Sequence, residues 1–557
     1  MPTASRRTRS ARRIAVSAAA AALVAVTAAA CGSSGSSSAP AAAGTGTSSG
    51  TGAAAGTPVS GGTLQWALAN DPLSISPWGG GSGNDQLYVT RQLFDTLTEQ
   101  DPKTGQILPF LASKWTVNAS ATQFDFTLRS GVTFSDGSPL TAQVVADNFN
   151  EISQLGAAAS WVAGDFPGFT GAAATGPLTL TVKFAKPHGI FLQQLSSVDI
   201  VGPSTLKIPY ADWASGKGVI GSGPFTLQGY SPSQSVVLAR RAGYDWGPAD
   251  RANRGAAHLS GIDFKITPEP SVRTGVLTSG QVEGIDNVQP QDIATLRNGG
   301  YTVITKANPG IAFGLTFIQN NPVTEQLQVR QAIAQAINPT AIRDAVLTPD
   351  FAVATSVLSN DTVGYTNLSK DLTYNPAAAE KLLTAAGWTP GAGGIREKGG
   401  KQLSLTLGWA ANFGPNQNAL QLLQAQLQQV GVKVTLATGT VPQYITALVS
   451  GKYQLAWGNL SNANAAVLAT QFSSAGSNFY KVNDPTLNGY FAQEYATTDP
   501  GAQNAAAAAA QQRIIQQAYT VPVFQLTTVL ATSAKVHGVV FGADARLAQL
   551  TDAWVAE

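Results

Sequence analysis

The sequence predicts an α/β protein of more than one domain, on three observations. The chain has 557 residues, and a single hydrophobic core stops growing at roughly 250–300 residues. Stretches of period-two alternation recur among stretches of helical spacing, the two patterns that strands and helices impose. Residues 403–436 carry these patterns in the order strand, helix, strand, and such a unit implies a parallel pair of strands.

The folded texture begins near Gly61. Thr63 to Ala69 reads as an opening strand. Phe124, Phe126 and Leu128 alternate with polar residues, as do Leu178, Leu180, Val182 and Phe184, and Ile262, Phe264 and Ile266; each set reads as a half-buried strand. Val329, Ala332, Ile333, Ala336 and Ile337 fall at helical spacing, and Asn338-Pro339 ends that helix. Asn375-Pro376 places an N-cap before proline at the first helical position, with a stop at Gly387. In the 403–436 unit, Leu403, Leu405 and Leu407 form a strand. Leu420, Leu423, Leu427 and Val430 form a helix face, Gly431 caps it, and Val432, Val434 and Leu436 resume the alternation. The alanine run Ala505–Ala510 reads as a late helix. The first part of the chain is richer in strands and turns.

The N-terminus reads differently. Residues 1–30 hold five arginines (Arg6, Arg7, Arg9, Arg12, Arg13) and no acid, followed by an apolar, alanine-rich run from Ile14 to Ala30. A basic head before a short apolar stretch is the pattern of an export signal. The formal net charge is +2, and setting aside those five arginines leaves −3 on the remainder. Ala28-Ala29-Ala30 precede Cys31, the only cysteine. This resembles a bacterial lipoprotein processing site, which implies a lipidated Cys31 and a protein held at the outer face of the cytoplasmic membrane. Residues 32–58 are uncharged and lack any large side chain, so 31–61 reads as a flexible tether, spanning on the order of 30 Å.

Composition excludes several classes. Charged residues are 12% of the chain, about half the usual fraction, and nucleic-acid binding would need dense Lys and Arg. The three histidines, His188, His258 and His537, are far apart and lack partners at metal-ligand spacing. No metal and no cofactor is expected. Gly46-Thr47-Ser48-Ser49-Gly50 matches a hydrolase nucleophile pattern but lies in the tether. Gly216–Gly221 matches G-x-G-x-x-G, yet Ser222-Gly223-Pro224-Phe225 reads as a turn entering a strand, where a dinucleotide site needs a helix. Nothing singles out a catalytic pair, so the expectation is a binder, not an enzyme.

A longer pattern lies in Leu111-Ala112-Ser113-Lys114-Trp115 and in Phe124 through Ala142, with Ser135-Asp136-Gly137-Ser138-Pro139 inside it. Gly221-Ser222-Gly223-Pro224-Phe225, Leu277 through Glu283, Val329-Arg330-Gln331-Ala332-Ile333, Ala386-Gly387-Trp388 and Gly394-Ile395-Arg396-Glu397-Lys398 follow in order. From about residue 62 to 530 the chain resembles the family 5 extracellular solute-binding proteins, the peptide- and nickel-binding subunits of ABC transporters. The motifs read as scaffold positions.

The resemblance implies a type II periplasmic-binding-protein-like clamp of two lobes, with an extra strand-rich domain inserted in lobe one. Lobe one would comprise 62–100, 220–312 and 526–557, the insertion 101–219, and lobe two 313–525. Crossovers would fall near Gly314–Phe317 and Val521–Phe524. It further implies a monomer that closes on a small solute and delivers it to a membrane permease with its ATPase. A lipid-anchored receptor or sensor using the same clamp, or a binder of oligosaccharide-like solutes, is the alternative.

Peptide-binding members resemble one another near a tyrosine, an acid, a Gly-Trp and a further acid that holds the peptide ammonium. Here the stretch is Gly451 to Asn464, with Gln454 in place of the first acid and Asn462 or Asn464 in place of the second. Asparagine supplies no charge to an ammonium, so a modified peptide or another polar solute becomes credible. The expected cleft comprises Trp457, Asn459, Asn462 and Asn464 of this stretch, together with Trp409 and Phe413. The last two follow a strand end, where ligands of open α/β sheets sit. Asp71 and Leu73, after the opening strand, would face them.

Overall fold

The computed structural model describes residues 56–556. The export signal, Cys31 and most of the tether lie outside the described residues. The opening strand β1 (Thr63–Leu68) is followed by helix α1 (Asn84–Leu93). A four-stranded antiparallel sheet comes next: β2 (Ala112–Val117), β3 (Gln123–Leu128), β4 (Phe169–Ala174) and β5 (Thr179–Phe184), in the order β2-β3-β5-β4. Helix α2 (Ala142–Leu155) packs on it, with the Thr141 hydroxyl accepting the Val144 N–H at 3.3 Å as N-cap. Phe124, Phe126, Phe149, Phe166 and Phe191 fill the space between, ring edges against ring faces. This aromatic core is continuous with that beneath β1.

The chain then returns through β6 (Phe225–Ser231), β7 (Ser235–Arg240), β8 (Gly261–Ile266), β9 (Gly284–Ile285) and β10 (Thr302–Ala307). These join β1 and a strand from the far end of the chain in a seven-stranded sheet. Its order is β6-β7-β8-β1-β9-β16-β10, where β16 is Thr527–Thr532. β1 runs parallel to β8 and β9.

Between β10 and β16 lies a second sheet. It comprises β11 (Gly310–Phe317), β12 (Ser404–Ala410), β13 (Lys433–Gly439), β14 (Leu455–Ser461) and β15 (Thr520–Phe524), in the order β13-β12-β14-β11-β15. The strand–helix–strand unit is present as read: β12 pairs parallel with β13 across helix α3 (Asn416–Gln429). Leu420, Leu423 and Leu427 are buried there, and Gly431 adopts φ 84°.

The chain crosses between the two sheets twice, at Asn308-Pro309 and at Gln525-Leu526. These crossovers lie a few residues outside the strands expected to hold them. Every residue of β11 and β15 is buried, so the alternation that marks a strand end is missing there. Buried Asn308 ties the two crossings together. Its N–H donates to the Leu526 carbonyl at 2.7 Å, and its side-chain oxygen accepts the Thr528 hydroxyl at 2.8 Å.

The family-like motifs are scaffold in the structure. Arg396 donates to the Val430 and Trp388 carbonyls, and Arg330 donates to those of Gln517, Thr324 and Glu325. A Cβ on Gly221 would lie 1.9 Å from the Leu93 carbonyl oxygen, so glycine lets this turn lie against the end of α1. No helix among the described residues is long and apolar enough to cross a membrane.

Candidate functional site

A cavity of about 600 Å³ lies between the segments that flank the two sheets, with the end of β14 on one side. One wall is built by the end of α1 and the segment after it (Arg91, Asp95, Glu99, Gln100), by the inserted region (Trp161, Asp165, Gln193, Asp199) and by Asp544 and Arg546 near the C-terminus. The facing wall is Leu460 to Asn464, continuing β14, with Thr470, Gln471 and Phe479. The volume lies within the range of small-molecule sites.

Beyond this cavity the walls also touch. The Gly189 N–H donates to the Tyr495 carbonyl at 2.7 Å, and the Gln503 side chain donates to the Gly189 carbonyl at 3.2 Å. A Cβ on Gly189 would stand 1.8 Å from the Thr497 carbonyl oxygen. His188, beside this contact, stacks on Phe184 with ring centroids 4.5 Å apart and pairs with Gln194. Burial lowers its pKa to about 4, although Gln194 opposes the shift. It is therefore a neutral packing group.

The wall that begins at α1 holds five acids and three arginines. Asp544 takes both Arg91 and Arg546. Burial opposes its ionisation, but the two guanidiniums hold it well below the usual carboxylate range. Asp95 receives the Trp246 indole N–H at 2.9 Å, the Ser222 hydroxyl at 2.8 Å and the Gln549 amide at 2.7 Å. Burial outweighs these bonds and raises its pKa. Arg251 pairs with Asp250 and, at 3.3 Å, with Glu99; burial pushes Glu99 up to about 7 against that pairing. Burial also pushes Asp165 and Asp199 up to about 8. Among the described residues, no group of three or more metal-type ligands is assembled.

Comparison with known proteins places this architecture. The description "Bacterial extracellular solute-binding proteins, family 5 Middle" matches residues 106–479. The chain belongs to this family. The Dipeptide-binding protein of Escherichia coli K12 is 27% identical over 457 residues, covering 75% of this chain and 81% of that protein. The Nickel-binding periplasmic protein of the same organism is 28% identical over 381 residues, covering 66% and 69%. Among solved structures, the oligopeptide-binding protein AppA of Bacillus subtilis superposes with a TM-score of 0.75 at 19% identity, covering 90% of this chain and all of that one. NikA of Brucella suis superposes at 0.74 with 22% identity, covering 87% and 99%. The two-lobed type II fold is thereby shown: the seven-stranded sheet forms lobe one and the five-stranded sheet lobe two. The relatives are binding proteins, not enzymes, in agreement with the sequence reading.

Of the residues expected in the cleft of this family 5 protein, the structure brings Asn462 and Asn464 to the cavity wall. Each caps the loop after β14 with its side-chain oxygen, accepting the N–H of Asn464 and Ala466 respectively, both at 3.1 Å. Asn459 is half-buried one turn of strand earlier and contacts Ser461 at 3.5 Å. Trp457 is a correction. It sits mid-strand, 1% exposed, its indole N–H bonded to Asn416 at 2.9 Å and its ring packed on Phe313 and Phe524. Trp409 pairs beside it in the same core, and Phe413 stacks on Phe313 at 5.5 Å. The end of β12 is roofed by aromatic rings, so the cleft opens at the end of β14 instead. Asp71 also lies elsewhere: it accepts from Tyr230, Ser233 and the Leu73 N–H, bracing a hairpin of lobe one. Leu73 is 60% exposed at φ 62°, outside the cavity. Gln454 accepts the Thr406 N–H at 2.9 Å, a sheet contact.

The acids of lobe one were missed in the sequence. A signal was present: Asp199 interrupts the apolar run Val198-Asp199-Ile200-Val201, and Asp95 interrupts Leu93-Phe94-Asp95-Thr96-Leu97. A charge inside an apolar run is rarely fully buried without a reason.

Proposed function

We propose that this protein is the solute-capturing component of an ABC importer, which closes its lobes on a peptide or peptide-like molecule and presents it to a membrane permease. The observation that carries this reading is the cavity of about 600 Å³ walled by both lobes in a chain of this family. The paired crossings at Asn308-Pro309 and Gln525-Leu526 would serve as the hinge. Solute touching both walls favours the closed arrangement in proportion to its differential contacts. We assign lobe one to 62–100, 220–308 and 526–557, the inserted domain to 101–219 and lobe two to 309–525, with the expected boundary at 312 moved to the crossing that precedes β11. Asn462 and Asn464 supply the polar contacts of lobe two, and the protein acts as a monomer. The test is small-angle scattering of the stripped protein with and without a casein tripeptide digest. Closure predicts a smaller radius of gyration with digest; an unchanged radius, with digest peptides demonstrably bound, would contradict the clamp.

The attachment is part of the proposal: lipidated Cys31 and the tether hold the clamp at the outer face of the cytoplasmic membrane, beside its permease. Cys31→Ser is expected to release the protein into the medium or leave it unprocessed. A mutant processed and membrane-bound as wild type would remove the anchor from the account.

A further inference from the structure

We propose that the captured solute carries a cationic group, an ammonium or a guanidinium, and that Asp199 on the lobe-one wall receives it. This rests on the capture reading above and adds the chemistry of the solute.

Asp199 lines the cavity and is 6% exposed. Its backbone carbonyl accepts the Trp78 indole N–H at 2.9 Å, but among the described residues its carboxylate has no hydrogen-bond donor and no salt-bridge partner. The other acids of the wall are committed, except Asp165. Asp544 holds two arginines, Asp95 holds four neutral donors, and Glu99 faces Arg251. Arg91, the cation that most affects Asp199, is itself engaged with Asp544.

A second observation does not depend on the acids. The side-chain oxygens of Gln100 and Gln193, both on this wall, are buried without a donor. The wall therefore lacks donors more than acceptors; Arg251 Nε is a buried donor without a partner, on a side chain already facing two acids. Leaving buried acceptors unmet costs free energy. An ammonium brings three donors and a guanidinium five, with no acceptor. The arrangement also accounts for the neutral Asn462 and Asn464 opposite: the cation is held on lobe one, so lobe two needs no acid.

Burial keeps Asp199 uncharged in the empty cleft at neutral pH. The groups facing it are Arg91 from α1 and Asp95 and Glu99 from the segment after it. A cation entering the cleft stabilises the ionised form, so binding releases a proton to the buffer and tightens as pH rises toward 8.

The test uses the full-chain protein stripped of solute and three probe sets. These are a tripeptide library with free amino termini, the same library N-acetylated with norleucine and citrulline in place of lysine and arginine, and a mixture of neutral trisaccharides. Retained solutes are read by mass spectrometry, and proton release by calorimetry in buffers of different ionisation enthalpy. Retention of the first set in preference to the others, with protons released at pH 7, is expected. Asp199→Asn should weaken retention about tenfold or more, the scale of a lost charge-assisted bond, without lowering the melting temperature of the empty protein. Equal or preferred retention of the neutral sets overturns the inference and leaves the capture reading standing; this comparison needs no variant. Unchanged affinity in folded Asp199→Asn overturns the assignment of Asp199. Retention from none of the sets counts against capture itself, and the inference falls with it.

Discussion

Trp457 is a residue whose burial decides its role. Its indole fills the space between Phe313 and Phe524 and satisfies Asn416. Trp457→Ala should therefore cost about 3–5 kcal/mol of stability, with the unpaired Asn416 adding to the loss. Solute affinity of the protein that remains folded should be unchanged, and denaturant melts alongside a binding titration check both. Sequence alone could not separate this outcome from a cleft tryptophan. Trp457, Gly458 and Asn459 follow one another along one strand, and only the partner strands decide which face meets the core. Asn462 and Asn464 were singled out through the resemblance of their stretch, and they reach the cavity wall because they lie past the end of β14. Asp95 and Asp199 lie in apolar runs that the sequence reading passed over; the cavity they face is made by segments about a hundred residues apart in the chain.

At the scale of elements, Gly189 packs against the loop after the helix Pro485–Tyr495 so closely that only glycine fits. A methyl group there would meet the Thr497 carbonyl, so Gly189→Ala should hold the lobes apart. The expected result is weaker solute binding with a near-normal melting temperature, because the clash arises only where the walls meet. Fluorescence or calorimetric titration beside a thermal melt reads the two effects separately; equal affinity would show that the contact is not needed for closure. The regular elements themselves were well read from the sequence. The capped helix at Asn375 and the unit around residues 403–436 stand where caps and periodicity put them, since half-buried elements write their period into the chain. The crossings were displaced because β11 and β15 are buried on both faces and write none.

Across the whole molecule, the buried acids set how stability varies with pH. Glu99 is raised to about 7, and Asp165, Asp199 and Glu494 to about 8, each by burial first. In the unfolded chain these groups titrate near 4. Between about pH 4 and 8 the native state therefore holds protons that the unfolded state has lost. Native stability falls as pH rises through that window, by up to about 1.4 kcal/mol per pH unit for each group. Asp71, Asp136 and Asp484 are lowered by their hydrogen bonds although burial opposes the shift; their contribution is lost as pH falls below about 4. The empty protein should thus melt highest in mildly acidic solution, and Asp199→Asn should flatten the decline toward pH 8. A melting temperature that climbs from pH 5 to 8 would show these acids to be ionised in the native state.

The position of β16 in its sheet also sets an order of events as the chain emerges from export. β16 lies between β9 and β10, antiparallel to both, yet it is the last of the seven strands to appear. Until it arrives, β10 has no neighbour and lobe one is an unfinished sheet with an open edge, a hazard for misassociation. Lobe two is complete once β15 has passed, a few residues earlier. The second lobe can therefore fold first, and the final stretch of the chain closes the first lobe around a partner already formed. Truncation just before Thr527 should leave a product whose lobe two resists protease while its lobe one is digested.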